Sequence, residues 1–234
     1  MKITFISDTH TRERNLTLPG GDVLIHGGDI MNSGWNYMDV MDFLKWFASQ
    51  PYDELIFIAG NHDRRFENDP LDIKNILEGF PTITYLEDDW VTVGDGDPHD
   101  PNVKTAKIYG SPWQPEFYNW AFNLPRRGDE LKAKWDAIPE DTDILITHGP
   151  PQGHLDASGS PYNEPNLGCE LLRVRVDEIK PKIHIFGHIH GSSGYKEHNG
   201  THFINASVLN EQYEVVNDGI TVDWDPETNE INFI

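Results

Sequence analysis

Short apolar runs that stop abruptly in polar clusters set the rhythm of this chain. Ile3 to Ser7 (ITFIS), Val23 to His26 (VLIH) and Leu55 to Ala59 (LIFIA) have strand length and the near-continuous apolar character of buried strands. Between the second and third, Tyr37 to Ala48 places Met38, Met41, Phe43, Leu44 and Phe47 near helical spacing, which predicts a helix. Ile83 to Leu86, Trp90 to Val93 and Lys107 to Tyr109 read as strands of a second sheet. The polar stretch Gly94 to Thr105 reads as an exposed loop and Asp129 to Asp136 as a short helix. Ile144 to Thr147 and Ile183 to Phe186 repeat the buried-strand pattern, with a helix from about Cys169 to Ile179 between them that Pro181 ends. Turns at Asn199-Gly200 and Asp218-Gly219 predict antiparallel hairpins in the tail. Strands separated by helices, with no linker-like stretch, predict a doubly wound or layered α/β core in one domain over residues 1–234.

Five polar clusters share one context, the end of an apolar strand. They are Asp8-Thr9-His10, Gly27-Gly28-Asp29, Gly60-Asn61-His62-Asp63, Thr147-His148-Gly149 and Gly187-His188-Ile189-His190. Ligands of open α/β sheets collect outside the carboxyl ends of the strands, so the five clusters should converge on one crevice. Carboxylate, imidazole and amide donors without thiolate suit a hydrolytic divalent-metal site better than a structural zinc. A carboxylate can bridge two ions about 3.5–4 Å apart, an arrangement that clamps the attacking and leaving oxygens of phosphoryl transfer. Gly28, Gly60 and Gly187 leave room for close backbone approach to such ions.

Composition narrows the partners. The formal net charge is −21, from 39 acidic and 18 basic residues. Such a field repels polyanions, and no Lys/Arg stripe tracks a long nucleic acid. A small phosphorylated substrate remains compatible if metals supply local positive charge. No apolar run is long enough to span a membrane, and the start of the chain lacks a signal-peptide core. The single cysteine, Cys169, excludes an intramolecular disulfide, which makes a cytoplasmic setting the expectation. Oligomeric state is not readable from the sequence.

The series D-x-H, G-G-D, G-N-H-D, T-H-G and G-H-x-H, in this order over residues 8 to 190, resembles the calcineurin-like metallophosphoesterase superfamily. Thr147 to Pro151, Gly168-Cys169, Phe186 to His190 and Asn205-Ala206-Ser207 resemble its metallophosphoesterase-domain-containing branch, whose members act on phosphodiesters including cyclic nucleotides. The resemblance implies a four-layer α-β-β-α sandwich of two mixed sheets flanked by helices. It also implies two divalent metal ions, manganese first, with iron, nickel, cobalt or zinc as alternatives. Asp8, His10 and His190 would hold one ion, Asn61, His148 and His188 the other, and Asp29 would bridge. Water activated by the metals would attack phosphorus. His62 would contact the phosphoryl oxygen or protonate the leaving alkoxide, with Asp63 orienting its imidazole. Some members carry glycine where this chain has His188 and are weakened; His188 here implies a working second site. The expected activity is a phosphodiesterase for small esters. A phosphomonoesterase, a nuclease for short oligonucleotides and a non-catalytic binding protein are the alternatives, and loops 94–128 and 151–168 would set the choice.

Several residues have a plainer reading beside the functional one. Asp63 could cap the helix after its loop. His26 and His184, inside apolar strands, read as hydrogen-bonded core residues. Arg64 and His154 could meet the substrate, or serve as a surface cation and an ordinary loop histidine; Arg65 reads as surface. The run Trp113, Phe117, Tyr118, Trp120 and Phe122 could stack on a base or pack a lid. Asn205 could be structural or functional.

Overall fold

The computed structural model describes residues 1–94, 105–158 and 166–234. Strands β1 (Lys2–Ile6), β2 (Gly21–His26) and β3 (Tyr52–Phe57) run parallel. Helix α1 (Tyr37–Ala48) crosses between β2 and β3. Its first turn is capped by Asn36, whose side chain accepts from Met38 N at 3.0 Å. Helices α2 (Arg64–Asn68) and α3 (Pro70–Leu77) then return the chain so that β4 (Ile83–Tyr85) lies parallel to β3. This corrects the sequence reading, which put Ile83 to Leu86 in the second sheet. The chain changes sheets only after β4.

The second sheet starts with the antiparallel pair β5 (Asp89–Gly94) and β6 (Thr105–Ser111). The predicted loop between them lies outside the described residues at 95–104. A two-stranded ribbon, β7 (Gln114–Pro115) and β8 (Asn123–Leu124), precedes α4 (Asp129–Asp136). Strands β9 (Ile144–Thr147) and β10 (Ile183–Phe186) flank α5 (Glu170–Ile179) in sequence, and α5 stops at left-handed Lys180 ahead of Pro181. The tail adds β11 (Gly194–His198), β12 (Thr201–Asn205), β13 (Ile220–Asp225) and β14 (Glu230–Phe233). Asn199 and Gly200, at φ 52° and 84°, turn the β11–β12 hairpin as predicted. Asp218-Gly219 does not turn a hairpin. It leads the chain into β13, which pairs antiparallel with β1, and the second hairpin turns at residues 226–229. Asp218 spends its carboxylate on Thr17 N at 2.9 Å.

The sheet orders are β14-β13-β1-β2-β3-β4 and β11-β12-β10-β9-β6-β5. Side-chain alternation builds the layers from this order. Ile3, Phe5, Val23, Ile25, Ile144, Ile146, Ile183 and Ile185 pack between the two sheets. Ile6, Leu24 and Phe57 face the opposite way, onto Val40, Phe43 and Phe47 of α1. Leu145 and Phe186 face outward from the second sheet onto Trp135 of α4 and Leu172 and Val176 of α5. The result is the α-β-β-α sandwich of two mixed six-stranded sheets. Each fully buried Phe or Ile contributes about 1.5–3 kcal/mol by removal from water. Among the described residues no helix is long and apolar enough to cross a membrane.

Candidate metal centre

Each of the five clusters begins where a parallel strand stops, and the sheets put those ends side by side. The turns are unusual: Asp8, His10, Asp29 and His188 have φ of 56°, 42°, 59° and 66°, a region that costs a non-glycine residue of order 1 kcal/mol. Hydrogen bonds between the turns offset this cost, with Asp8 N on Gly28 O at 2.9 Å and His10 N on Asp29 O at 3.0 Å. The first two clusters therefore fold as one braced unit. A Cβ at Gly187 would run into the Asp8 carboxylate and one at Gly60 into that of Asp29, so both carboxylates lie on backbone that only glycine leaves open.

The clusters assemble overlapping groups of metal-competent atoms: Asp8, His10 and His190; His10, Asp29 and His62; and Asp29, His148 and His188. The donor atoms within each group lie within 4.8 Å of one another. Asp29 Oδ2 stands between the first and last groups, 3.6 Å from His10 Nε2 and 3.4 Å from His148 Nε2. On the first side His190 Nε2 is 3.4 Å from Asp8 Oδ1; on the second, Asn61 Oδ1 is 2.9 Å from His148 Nε2.

Backbone carbonyls settle which imidazole nitrogen is available. Nδ1–H of His10 donates to Met31 O at 2.9 Å, that of His148 to Gly27 O at 3.0 Å and that of His190 to Asn210 O at 3.0 Å. Nδ1 of His62 meets Asn32 O in the same way. A carbonyl only accepts, so each neutral ring keeps its lone pair on Nε2, the arrangement that suits a metal-ligating histidine. His10 Nε2 and Asn61 Nδ2 are buried with no hydrogen-bond partner. Buried polar atoms are rarely left so, and the donor set of two carboxylates, imidazoles and one amide fits divalent cations.

Without a cation, protons stand in for it. Burial alone would lower His148 and His190, but Asp29 beside the first and Asp8 beside the second raise both to about 9. The same contacts hold Asp8 and Asp29 well below the usual carboxylate range, although burial opposes this. Burial, with His148 nearby, pushes His188 down to about 3. A cation held by His148 and His190 would therefore have to displace a proton from each below about pH 9. Apparent metal affinity should rise with pH through about 9, and loading at pH 7 should release at least about two protons, any from metal-bound water being additional. Titration calorimetry in buffers of different ionisation enthalpy measures that number; release of none would contradict the pairing.

Asp63 departs from both sequence readings. It gives no side-chain cap to α2 and does not touch the His62 ring. Its carboxylate accepts from Gly60 N (2.8 Å), Ile30 N (3.2 Å) and Met31 N (2.9 Å), binding the second and third clusters together. Burial, then the neighbouring Asp29, push it up to about 7 against these three donors. Asp63→Ala would strand three buried N–H groups, and each stranded group costs roughly 1–3 kcal/mol, so a loss of about 3 kcal/mol or more is expected by denaturant unfolding.

His62 stacks on Trp120, with ring centroids 4.0 Å apart and planes 24° apart. Arg64 is not among the residues lining the pocket beside these groups. Its guanidinium lies over Trp120 and Trp35, at 4.7 and 5.8 Å, and donates to Asn119 O. Arg65 is paired with Asp72 at 2.6 Å. His154, expected on the substrate side or in a loop, is buried against Phe203 at 3.8 Å and away from the pocket, and burial pushes it down to about 4. His26 and His184 are buried strand residues. Nε2 of each hydrogen-bonds the threonine flanking a ligand turn, Thr9 at 3.0 Å and Thr147 at 2.9 Å.

Sequence reasoning missed Ser207, Tyr213 and Gln114. Ser207 donates from Oγ to Asp8 Oδ2 at 2.7 Å, while Asn205 of the same segment braces Ile189 O and Leu155 O. Tyr213 lies against His10 and His190, at 4.9 and 5.4 Å, and Phe117 stands edge-on to His188 at 5.3 Å. With Gln114, Glu116, Pro150, Leu167 and Ile189 these aromatics line a pocket of about 300 Å³ that opens on the candidate ligands. Arg126 also lines it, paired with Glu170 at 2.9 Å. The Asn205-Ala206-Ser207 motif was the available signal for Ser207; nothing local in the sequence marks Tyr213 or Gln114.

Known proteins give the same picture. The chain is 40% identical to metallophosphoesterase domain-containing protein 1 of human and of mouse, covering 93% of this chain and 69% of each relative. It shares its fold with the phosphopantetheinyl hydrolase of Mycobacterium tuberculosis at a TM-score of 0.58 and 16% identity, covering 91% of this chain and 90% of that one. Residues 1–192 match the family model described as calcineurin-like phosphoesterase. Fold, clustered ligand groups and sequence match agree, and the chain belongs to the calcineurin-like phosphoesterase family.

Proposed function

We propose that this protein is a phosphodiesterase for small esters that works with two divalent metal ions, manganese being the first candidate. The observation that carries this reading is Asp29 Oδ2, placed between imidazoles of two ligand groups whose Nε2 atoms are held ready by backbone carbonyls. Asp8, His10 and His190 would hold one ion, Asn61, His148 and His188 the other, with Asp29 shared. When bound, the pair would lower the pKa of water and neutralise charge building on the phosphoryl group.

The chain's own residues supply the rest. Ser207 and His188 N, both donating to Asp8, fix that carboxylate toward the site. His62 N donates to Asp29 Oδ1 at 2.7 Å, which leaves Oδ2 for the shared position. His62 Nδ1–H is engaged by Asn32 O, so Nε2 is the atom that can hold or pass a proton at the leaving oxygen. Phe117, Tyr213, Pro150 and Leu167 offer an apolar wall to the organic part of the ester.

The apolar wall favours a diester, because Phe117, Tyr213, Pro150 and Leu167 can receive the second organic group that a monoester lacks. The test is to strip the metal, reload with Mn²⁺ and offer bis-p-nitrophenyl phosphate, p-nitrophenyl phosphate and a panel of cyclic nucleotides. Faster turnover of the diesters is expected. Preference for the monoester would replace this reading with a phosphomonoesterase, and no turnover with any divalent metal would leave a binding protein.

A further inference from the structure

We infer that Trp120 is the positioning residue that holds the His62 imidazole for its work at the leaving group. The inference rests on the hydrolase reading above, in which His62 serves the leaving oxygen. A ring pinned at Nδ1 by one carbonyl can still rock about that contact. Two further neighbours oppose this motion: His10, edge-on at 4.7 Å and 82°, and Trp120, face-on at 4.0 Å and 24°. His10 is a candidate ligand and has its own task. Trp120 comes from outside all five clusters, and its indole face covers the ring plane.

The segment that carries Trp120 is built onto the same turn. Ala121 N donates to Asn61 O at 3.0 Å, on the residue just before His62. Arg64, two residues after His62, donates to Asn119 O and lays its guanidinium over the indole at 4.7 Å. The segment is braced behind as well. Asn123 Nδ2 donates to Phe117 O at 3.2 Å and Tyr118 O at 2.9 Å, and Gln114 N donates to Phe122 O at 3.0 Å. Residues 119 to 121 thus contact 61, 62 and 64 one after another. Their common effect is to fix the direction of His62 Nε2. Arg64, a candidate substrate contact in the sequence, serves this stack instead.

A positioning role predicts a loss that depends on the leaving group. p-Nitrophenoxide departs without help, whereas unsubstituted phenoxide gains from a proton delivered to its oxygen, so bis-p-nitrophenyl phosphate and diphenyl phosphate form a matched pair of probes. Misplacing a catalytic group by about 1 Å can cost on the order of 100-fold. With Mn²⁺-loaded protein, Trp120→Ala should cut kcat on diphenyl phosphate about 10- to 100-fold and on bis-p-nitrophenyl phosphate about threefold or less, with KM and metal content near wild type. Trp120→Phe keeps a stacking face and should recover most of the loss. In the Zn²⁺-loaded protein the His62 Cε1–H resonance, assigned by its disappearance in His62→Ala, should move downfield in Trp120→Ala as the indole ring current is lost. Equal losses on both esters, no loss on either, or an unmoved resonance would overturn the inference alone. Failure of wild type to turn over either ester would overturn the hydrolase reading and this inference with it.

Discussion

Asp29→Asn is expected to lower kcat/KM on a diester at least about 10³-fold and to leave the protein with fewer than two tightly held ions. The substitution keeps the size of the side chain and an oxygen for His62 N to use. What it removes is the charge at Oδ2, the atom set 3.6 Å from His10 Nε2 and 3.4 Å from His148 Nε2. Asp8 would then be the single carboxylate left in the proposed ligand set. Metal catalysis contributes several kcal/mol of transition-state charge stabilisation, and each 1.36 kcal/mol is tenfold in rate, which sets the size of the loss. Elemental analysis of the purified variant alongside its kinetics provides the measurement. Two retained ions with a loss below tenfold would show that Asp29 does not bridge.

His62→Ala is expected to lose about 10²- to 10⁴-fold in kcat, the range of a positioned general acid, while both ions stay bound. The imidazole lies at the mouth of the ligand groups and within one of them, together with His10 and Asp29. Metal content therefore decides between two roles. A variant that keeps its metal and loses rate identifies a group acting on the ester; a variant that loses metal identifies a ligand. The loss should be larger for an alkoxide than for p-nitrophenoxide.

Much of this was legible in the chain. Strand ends carrying ligand-type residues sufficed to predict convergence, because parallel strands put their carboxyl ends on one edge whatever the loops do. The limits of α1, β9 and β10 follow from the apolar pattern. What escaped was decided by long-range contact. β4 reads like any short apolar strand, and only the return through α2 and α3 assigns it to the first sheet. Asp63 sits in an evident motif, but two of its three N–H partners, Ile30 and Met31, come from the neighbouring turn more than thirty residues earlier in the chain. Arg64 and His154 have the right chemistry and were placed by packing, on Trp120 and on Phe203. The left-handed backbone of Asp8, His10, Asp29 and His188 falls on residue types that tolerate it, but which Asp and His residues adopt it is decided by the contacts between turns.

The carbonyl that engages His190 Nδ1 belongs to Asn210, and the hydroxyl on Asp8 belongs to Ser207. Both lie beyond residue 192, where the match to the family model stops. The candidate ligands on that side lie within the matched stretch, while the groups that hold them come from the segment after β12. Substitution in that segment should therefore shift cation affinity on the Asp8–His190 side without altering a candidate ligand.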